Sequence, residues 1–427
     1  LVARSQGELK GPVHLNCMFR EPLEPLKTDK DFTDYLKSIK EWSKTTKPYA
    51  RYIYSQKTIG KNDLDDISTR LNRIKKGIII VGKIKELDQK SILSLSEKLK
   101  WPIFPDISSG FRIQNNHKHI ISSFDSLLLS DKFKARNQID GILHLGGRIT
   151  SKRWYEWIKK SFLNEYIMVL NHPLRNDPFH NVSLRVQSPV GVFCQKIIPK
   201  IALQKSSSAL KSWQDGERRL QIKMKNIFNE MRQLNEPLVA RLISEYIPVK
   251  TALFLSSSMP IRTMDQYAYQ NNRDINIGAN RGASGIDGVI ASACGFSKGL
   301  KKRVTLLIGD LAFCYDMNSL MMLKDLPQAM TIILINNNGG GIFNLLPIAQ
   351  YKDVFEKYFA GPHNLEFSQL AMNFGLNYHS PDSIQKFIDV YQQCMLKKNS
   401  SLIEIKIERT HNTEIINEIQ RKLIRFY

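Results

Sequence analysis

The sequence has little cysteine, no long apolar run and no complete dinucleotide-binding glycine motif. Its five cysteines are far apart and odd in number, at Cys17, Cys194, Cys294, Cys314 and Cys394. No pair has the spacing of a zinc site, and a reducing compartment fits this pattern. No apolar run approaches the ~18 residues that a transmembrane helix needs, so we expect no membrane span. No signal peptide is visible, and the chain opens on Leu1 in what we interpret as the middle of a domain.

Negative charge is also scarce relative to positive charge. The 427 residues carry a formal net charge of +22, and 42% of them are hydrophobic, which is enough for two or three domains with real cores. The basic residues are scattered along the chain, and no recognisable nucleic-acid module accompanies them. We therefore expect solvated lysines and no nucleic-acid partner, with a polyanion partner as the alternative.

The most informative stretch lies between residues 304 and 347. Val304–Ile308 is a β-branched apolar run that ends in Gly309-Asp310, which is typical of a buried parallel strand followed by a turn. A helical pattern follows, then a second apolar run, Thr331–Ile335, and then three asparagines and three glycines. The pattern predicts two parallel strands whose carboxyl-end loops lie on one rim, where open α/β sheets bind ligands.

Asp310, Asn337 and Gly339 supply a carboxylate, an amide oxygen and a backbone carbonyl on that rim. This donor set suits Mg²⁺ or Mn²⁺, which prefer oxygen ligands, and a diphosphate would complete the shell because the protein supplies one charge. The alternative is two ordinary turns, one with Asp and one with Asn-Gly.

Two further features belong to the same predicted rim. The loop Asn280–Gly288 has three glycines before a predicted helix, so its backbone can approach a ligand closely, although most such loops are plain turns. Arg262 and Arg281 end adjacent predicted elements, and a guanidinium suits bidentate binding of carboxylates. The alternative for both arginines is a solvated or salt-bridged side chain.

These motifs together resemble the thiamine-diphosphate-dependent 2-succinyl-5-enolpyruvyl-6-hydroxy-3-cyclohexene-1-carboxylate synthases. The resemblance rests on Gly309-Asp310-Leu311, on the asparagine and glycine triplets followed by Ile342-Phe343, and on the loop Asn280–Gly288. Looser likeness covers residues 11–16 and 19–23, where the first domain of that family ends. The resemblance runs over nearly the whole chain.

The resemblance implies an α/β fold of the thiamine-diphosphate-enzyme type, with two doubly wound parallel-sheet domains and the tail of a third. Residues 1–28 would be the tail of the pyrimidine-binding domain, 29–200 a central nucleotide-binding-like domain without nucleotide, 201–235 a polar and helical linker, and 236–427 the diphosphate and metal domain. The apolar runs predict further strands, and the sequence also predicts two helices, Phe32–Trp42 and an exposed one from Asn412. The further strands are predicted at Val13–Asn16, Gly77–Val81, Gly141–Leu145, Tyr166–Asn171, Ala252–Leu255 and Leu402–Ile407.

The resemblance also assigns roles to individual residues. It implies cofactor binding at Ser258, Ile286, Gly309, Asp310, Asn337 and Gly339, with the metal at the last three. Ile286 would lie beneath the thiazolium ring, or alternatively would pack into the core. The implied substrate-binding residues are Lys152, Ser258, Arg262, Arg281, Ile342, Phe343 and Leu346. For Lys152 the alternative is a solvated lysine, and for the last three it is packing at a helix start.

In this family a glutamate of the pyrimidine-binding domain generates the reactive cofactor. None of the glutamates nearest the start, Glu8, Glu21 and Glu24, occupies a matching position, so we expect the catalytic glutamate to precede Leu1. The implied activity is a decarboxylating carboligation of 2-oxoglutarate with isochorismate in menaquinone or phylloquinone synthesis, using thiamine diphosphate and Mg²⁺ or Mn²⁺. The alternative is an incomplete fragment or cofactor-binding subunit that needs the absent domain in trans.

Two expectations concern assembly and location. Sites in this family lie between the pyrimidine domain of one subunit and the diphosphate domain of its neighbour, which implies a homodimer or homotetramer. The abundance of Lys, Ile and Asn is typical of an AT-rich genome. We therefore expect the plastid stroma, with a bacterial cytoplasm as the alternative.

Overall fold

The computed structural model describes residues 1–7, 11–21, 23–24, 26–53, 58–204, 207–281 and 285–425. The chain divides into two units, Leu1–Thr58 and Ile59–Tyr427, and each is described by itself. Among the described residues, no helix has the length and apolarity needed to cross a bilayer.

The first unit contains only short helical segments in its described part. These are α1 (Val2–Gln6), α2 (Thr33–Leu36) and α3 (Lys40–Ser43), with a 3₁₀ turn at Lys37–Ile39 between the last two. The prediction of helical structure over 32–42 is thus confirmed, although the helix is interrupted. The predicted strand at 13–16 is wrong, because this described part offers no second strand with which it could form a ladder.

The first sheet of the second unit has five parallel strands in the order β2-β1-β3-β4-β5. Its strands are β1 (Gly77–Val81), β2 (Ile103–Pro105), β3 (Gly141–Leu145), β4 (Glu165–Leu170) and β5 (Leu184–Gln187). The helices between and around them are α4 (Lys61–Arg73), α5 (Gln89–Leu99), α6 (Phe111–Gln114), α7 (Phe124–Leu127), α8 (Asp131–Arg136), α9 (Lys152–Lys159) and α10 (Val190–Ile197). Short 3₁₀ turns lie at Glu86–Asp88, Ile107–Ser109 and Ile198–Lys200. Parallel neighbours require crossover connections, which these helices supply.

The segment predicted as a linker contains a long helix, α11 (Ser208–Asn229). One face of α11 is buried, and Trp213 lies edge-on to Phe104 of β2 at 4.8 Å between ring centroids. The same hydrophobic core continues from the first sheet through α11 to the second sheet. The predicted domain boundaries at 28, 200 and 235 stay predictions.

The second sheet has six parallel strands in the order β10-β11-β9-β8-β6-β7. Its strands are β6 (Ala252–Leu255), β7 (Asn276–Ala279), β8 (Val304–Gly309), β9 (Met330–Asn336), β10 (Asn377–His379) and β11 (Ser401–Lys406). Its helices are α12 (Glu236–Tyr246), α13 (Met259–Tyr267), α14 (Val289–Leu300), α15 (Asp310–Tyr315), α16 (Lys352–Phe355), α17 (Phe367–Asn373), α18 (Ile384–Cys394) and α19 (Arg409–Ile424). Residues Met317–Asp325, Gly341–Leu345 and Pro347–Gln350 form 3₁₀ turns, and Glu356–Ala360 forms a π-helical turn.

The strand order of the second sheet reverses between β6 and β8. The chain runs outward from β6 to β7, returns past β6 to β8, and continues through β9. Ligands bind at such a switch point, outside the carboxyl ends of the strands. The loops after β6, β8 and β9 are those that the sequence singled out. α19, predicted as exposed, buries Ile416, Ile419 and Leu423 against the core, so it is amphipathic.

Candidate cofactor and metal site

Asp310 connects the loops that follow β8 and β9. The residue begins α15 and is 2% exposed. Its Oδ2 accepts hydrogen bonds from the backbone N–H of Asn337 at 3.1 Å and of Gly339 at 2.9 Å, and its Oδ1 accepts one from Leu311 at 2.7 Å. A carboxylate has about four lone-pair positions, so one remains for another ligand.

The three consecutive asparagines have different surroundings. Oδ1 of Asn336 accepts from the N–H of Asn338 at 3.1 Å, and Oδ1 of Asn338 accepts from the N–H groups of His363 and Asn364 at 3.0 and 2.9 Å. Oδ1 of Asn337 is buried and has no hydrogen-bond partner within the described ranges. A buried acceptor without a partner is costly, which indicates that a group outside the chain fills this position.

The glycines after Asn338 allow a close backbone contact. Gly339 has a φ of +130°, and a Cβ there would lie 2.2 Å from the carbonyl oxygen of Ala360. The N–H of Gly340 donates to that same oxygen at 2.6 Å. Only glycine fits this conformation and this gap. The absence of a side chain therefore lets the loop pack directly against the backbone of Ala360.

These donors fit a divalent cation with oxygen preference. Asp310 offers a carboxylate position, Asn337 an unpartnered amide oxygen, and Gly339 a carbonyl that already accepts from Gly341 at 3.0 Å. No group of three or more His, Cys, Asp or Glu residues in the described chain could hold a metal. A cation here would therefore take further oxygens from a bound phosphate or water, as Mg²⁺ commonly does.

Ser258 and Arg262 follow β6 on the same rim. Ser258 precedes α13 with a φ of +70°, an uncommon conformation for a residue with a side chain, and its carbonyl accepts from Nη1 of Arg262. Burial lowers the pKa of Arg262, and repulsion from Arg281 lowers it further. Neither arginine forms an ion pair with a described carboxylate, so the two cations are available to an anionic ligand.

The loop Asn280–Gly288 lies in part outside the described residues, since 282–284 are not described. Ile286 is half-buried and packs against the core beneath α14, which is the alternative that the sequence left open. Gly288 has a φ of +65° and immediately precedes that helix. The assignment of Ile286 to the cofactor stays a prediction.

Lys152 is the first residue of α9, one of the helices that accompany the first sheet. Its side chain is 86% exposed, and its Nζ lies 3.4 Å from Glu156. No described contact joins it to Asp310 or Asn337. The structure thus fits the solvated alternative, and the substrate role of Lys152 stays a prediction.

The predicted apolar wall lies on the 3₁₀ turn after the glycines. Phe343 stacks edge-on with Phe359 at 5.8 Å between centroids, and Ile342 is half-buried. Leu346, just beyond the turn, is exposed. The Phe343–Phe359 contact fits the alternative of local packing, and the role of the three side chains as a substrate wall stays a prediction.

Sequence reasoning missed two residues that lie beside Asp310 and Asn337. Glu236 is buried, and its Oε1 accepts from Nδ2 of Asn337 at 3.0 Å. Burial raises the pKa of Glu236 to about 7; the Asn337 hydrogen bond opposes this rise, and nearby Asp310 adds to it. The Asn235-Glu236-Pro237 sequence indicates a helix start. Nothing else in the sequence points to a role for Glu236 near the candidate site.

His363 is the second missed residue. Its Nδ1 accepts from the N–H of Leu365 at 3.0 Å, so in the neutral ring the proton lies on Nε2. That nitrogen is buried and lies 3.2 Å from Oδ2 of Asp310, without the alignment of a hydrogen bond. His363 therefore contributes to the immediate surroundings of the carboxylate.

Two parallel-sheet domains, with Asp310 and Asn337 beside the switch point of the second sheet, define the fold of thiamine-diphosphate-dependent enzymes. Comparisons with known proteins agree with this assignment. The family model for the middle domain of thiamine pyrophosphate enzymes matches residues 33–255, and that for their C-terminal TPP-binding domain matches 261–405. Solved structures of similar fold include benzoylformate decarboxylase from Polynucleobacter necessarius, with a TM-score of 0.63, 14% identity and coverage of 86% of this chain and 68% of that one. A putative thiamin diphosphate-dependent enzyme from Mycobacterium smegmatis gives a TM-score of 0.59 at 13% identity, covering 85% and 67% of the two chains.

The sequence relatives are more specific. The 2-succinyl-5-enolpyruvyl-6-hydroxy-3-cyclohexene-1-carboxylate synthase of Chlorobium phaeobacteroides is 36% identical over 99% of this chain and 72% of its own length. The enzyme of the same name from Rubrobacter xylanophilus is 34% identical over 98% of this chain and 72% of its own length. The chain belongs to this synthase family, whose members are thiamine-diphosphate-dependent transferases.

Proposed function

We propose that this chain carries the cofactor and substrate site of a decarboxylating carboligase that joins the succinyl-semialdehyde unit of 2-oxoglutarate to isochorismate. The proposal rests on family membership and on one observation above all. Asp310 and the unpartnered Oδ1 of Asn337 are together on one rim. The pathway we propose is menaquinone or phylloquinone synthesis.

The metal loops have a binding role in this proposal. Asp310, Asn337 and Gly339 would hold Mg²⁺ or Mn²⁺, and the metal would anchor the diphosphate of the cofactor. Bound thiamine diphosphate would supply the carbanion chemistry that releases CO₂ from a 2-oxo acid and forms the new carbon–carbon bond. The chain's own contribution is to bind and orient, with Gly309 and Ser258 beside the diphosphate and Ile286 beneath the ring.

The substrates of this reaction carry several carboxylates, and the rim carries matching charge. Arg262 is half-buried beside Arg281, and burial and mutual repulsion lower its pKa. A carboxylate between the two guanidinium groups would relieve this repulsion and form charge-assisted hydrogen bonds. Ile342, Phe343 and Leu346 would exclude water from the other side, and Lys152 would contact substrate if its exposed side chain turns inward.

The site needs a further domain in this proposal, because the glutamate that activates the cofactor is not matched in the chain. Large apolar side chains that are exposed after Asp310 support this view. Tyr315 and Met321 are 69% and 61% exposed. We propose that a pyrimidine-binding domain covers them, within a homodimer or homotetramer, in the plastid stroma or alternatively the bacterial cytoplasm.

The test is turnover of 2-oxoglutarate with isochorismate in the presence of Mg²⁺ and thiamine diphosphate. We expect no product from the 427-residue chain alone and product when the pyrimidine-binding domain of a relative is fused to it or added in trans. Turnover by the chain alone would show that the missing glutamate is not required. Cofactor binding without restored turnover would favour the alternative of a cofactor-binding subunit.

A further inference from the structure

We infer that Glu236 is a positioning residue that fixes the side-chain amide of Asn337 so that its oxygen, rather than its nitrogen, faces the metal. This inference rests on the proposed metal site. Glu236 is 4% exposed and begins α12, and its Oε1 accepts from Nδ2 of Asn337 at 3.0 Å. The two residues are 101 positions apart in the sequence.

The amide of an asparagine can be rotated by half a turn with little change in shape. With the opposite orientation, Nδ2 of Asn337 would present two N–H donors to a cation, and donors repel positive charge. The hydrogen bond to Glu236 is the only one that the described residues make with this side-chain amide. The orientation of the amide therefore depends on Glu236.

The neighbouring residue Asn336 provides a comparison within the same loop. Its Nδ2 donates to Oε1 of Glu404 at 2.6 Å, so a buried glutamate fixes this amide too. Its Oδ1, however, already accepts from Asn338. In both pairs a buried glutamate accepts from an asparagine amide, although Asn336 is only partly buried and Glu404 also accepts from the hydroxyl of Tyr378. The pairs differ in whether the amide oxygen is left for a ligand.

Glu236 is itself held in place by its own helix and by α19. Its backbone N–H donates to Oδ1 of Asn412 at 3.1 Å, and the side chain of Asn235 caps α12 by accepting from Leu238 at 2.9 Å. The carboxyl group thus projects from a fixed helix start, which is what a group that orients a metal ligand requires. Outer partners of this kind commonly change metal affinity by about 10- to 100-fold when they are removed.

The experiment measures Mn²⁺ binding to the full chain by electron paramagnetic resonance of the free ion, with thiamine diphosphate present. We expect Glu236→Ala to weaken Mn²⁺ binding by about 10- to 100-fold, and Glu236→Gln, which keeps an acceptor, to recover most of the affinity. The matched controls are Glu404→Ala and Glu404→Gln, which should leave Mn²⁺ affinity unchanged. Thermal denaturation of each variant without metal shows whether a lower Mn²⁺ affinity comes from a less stable fold rather than from a misplaced amide.

The outcomes separate the inference from the proposed function. If Asp310→Ala abolishes Mn²⁺ binding while Glu236→Ala and Glu236→Gln both bind normally, the positioning role is wrong and the metal site stands. Equal weakening by Glu404→Ala and Glu236→Ala would also overturn the role, since it would report general loosening of the loop. If the unmodified chain shows no saturable Mn²⁺ binding, the proposed metal site fails and the inference fails with it.

Discussion

The backbone N–H of Asn337 donates a hydrogen bond to Oδ2 of Asp310 across 3.1 Å, although the two residues are 27 positions apart. The contact follows from the pairing of β8 with β9, in which Gly309 lies opposite Ile335. Because the two strands are parallel and in register, the residues that follow them leave the sheet at the same edge. This edge is where the proposed metal and cofactor would bind.

Replacement of Asp310 should remove metal-dependent cofactor binding. Asp310→Ala deletes the only carboxylate of the donor set and also leaves the N–H groups of Asn337 and Gly339 without their acceptor. We expect isothermal titration to show no Mg²⁺-dependent binding of thiamine diphosphate by this variant, whereas Asp325→Ala, at an exposed aspartate between β8 and β9, should bind as before. Unchanged affinity in Asp310→Ala would refute the metal assignment.

Loss of Arg262 or Arg281 should reduce the preference for a substrate with two carboxylates. A charge-assisted hydrogen bond contributes about 1.5–3 kcal/mol, so we expect Arg262→Ala and Arg281→Ala to lower kcat/KM for 2-oxoglutarate roughly 10- to 100-fold in the enzyme joined to its pyrimidine domain. The value for pyruvate, which lacks the second carboxylate, should change much less. Arg218→Ala, on the exposed side of α11, is the control. An equal fall for both substrates would indicate damage to the cofactor site instead.

Alanine at Gly339 should destabilise the asparagine–glycine loop. Its φ of +130° and the 2.2 Å gap to the carbonyl of Ala360 leave no room for a Cβ. We expect Gly339→Ala to lower the free energy of unfolding by about 1–3 kcal/mol, measured by urea denaturation. Gly309→Ala is the matched change, because a Cβ there meets no atom within 4 Å. A stable Gly339→Ala together with an unstable Gly309→Ala would contradict this account.

The buried imidazole of His144 should make stability depend on pH. Its Nε2 donates to the carbonyl of Gly147 at 2.9 Å, and its Nδ1 accepts from the hydroxyl of Tyr166 at 3.0 Å. Burial lowers the pKa of His144 to about 4, against an ordinary value of 6.5. The unfolded chain therefore binds the proton first, so the stability that neutral His144 contributes is complete above about pH 6.5 and is lost toward pH 4.

The expected loss over this interval is on the order of 3 kcal/mol, since one pKa unit corresponds to about 1.4 kcal/mol. Urea denaturation at several pH values measures it, and His144→Gln should reduce the pH dependence between 4 and 6.5. Part of the dependence should remain, because burial also lowers the pKa of His119 to about 4. His411→Gln, at an exposed imidazole on α19, is the control variant. A His144→Gln variant with the unmodified pH profile would show that other groups govern acid stability.

The interior of both sheets was predictable from the sequence, and the edges were not. The sequence predicted seven strands in the second unit, among them Gly77–Val81 and Thr331–Ile335. All seven are present, and each has a neighbouring strand on both sides. The strands that were missed, β2, β5, β7 and β10, are the four edge strands. An interior parallel strand is buried on both faces, so its sequence is a continuous run of apolar residues. Short edge strands such as Asn377–His379 are only partly buried and show no such pattern.

The sequence by itself determined the central strands, the polar loops that follow them and the chemical character of the candidate metal ligands. These are local properties, since burial on both faces selects β-branched residues and a turn before a ligand selects Asp, Asn and Gly. Only the tertiary structure decided which partners those ligands have. Glu236 reaches Asn337 from another helix, and His363 reaches Asp310 from beyond the glycine loop. No spacing in the sequence encodes these contacts, because they arise where separate elements pack at one edge of the sheet.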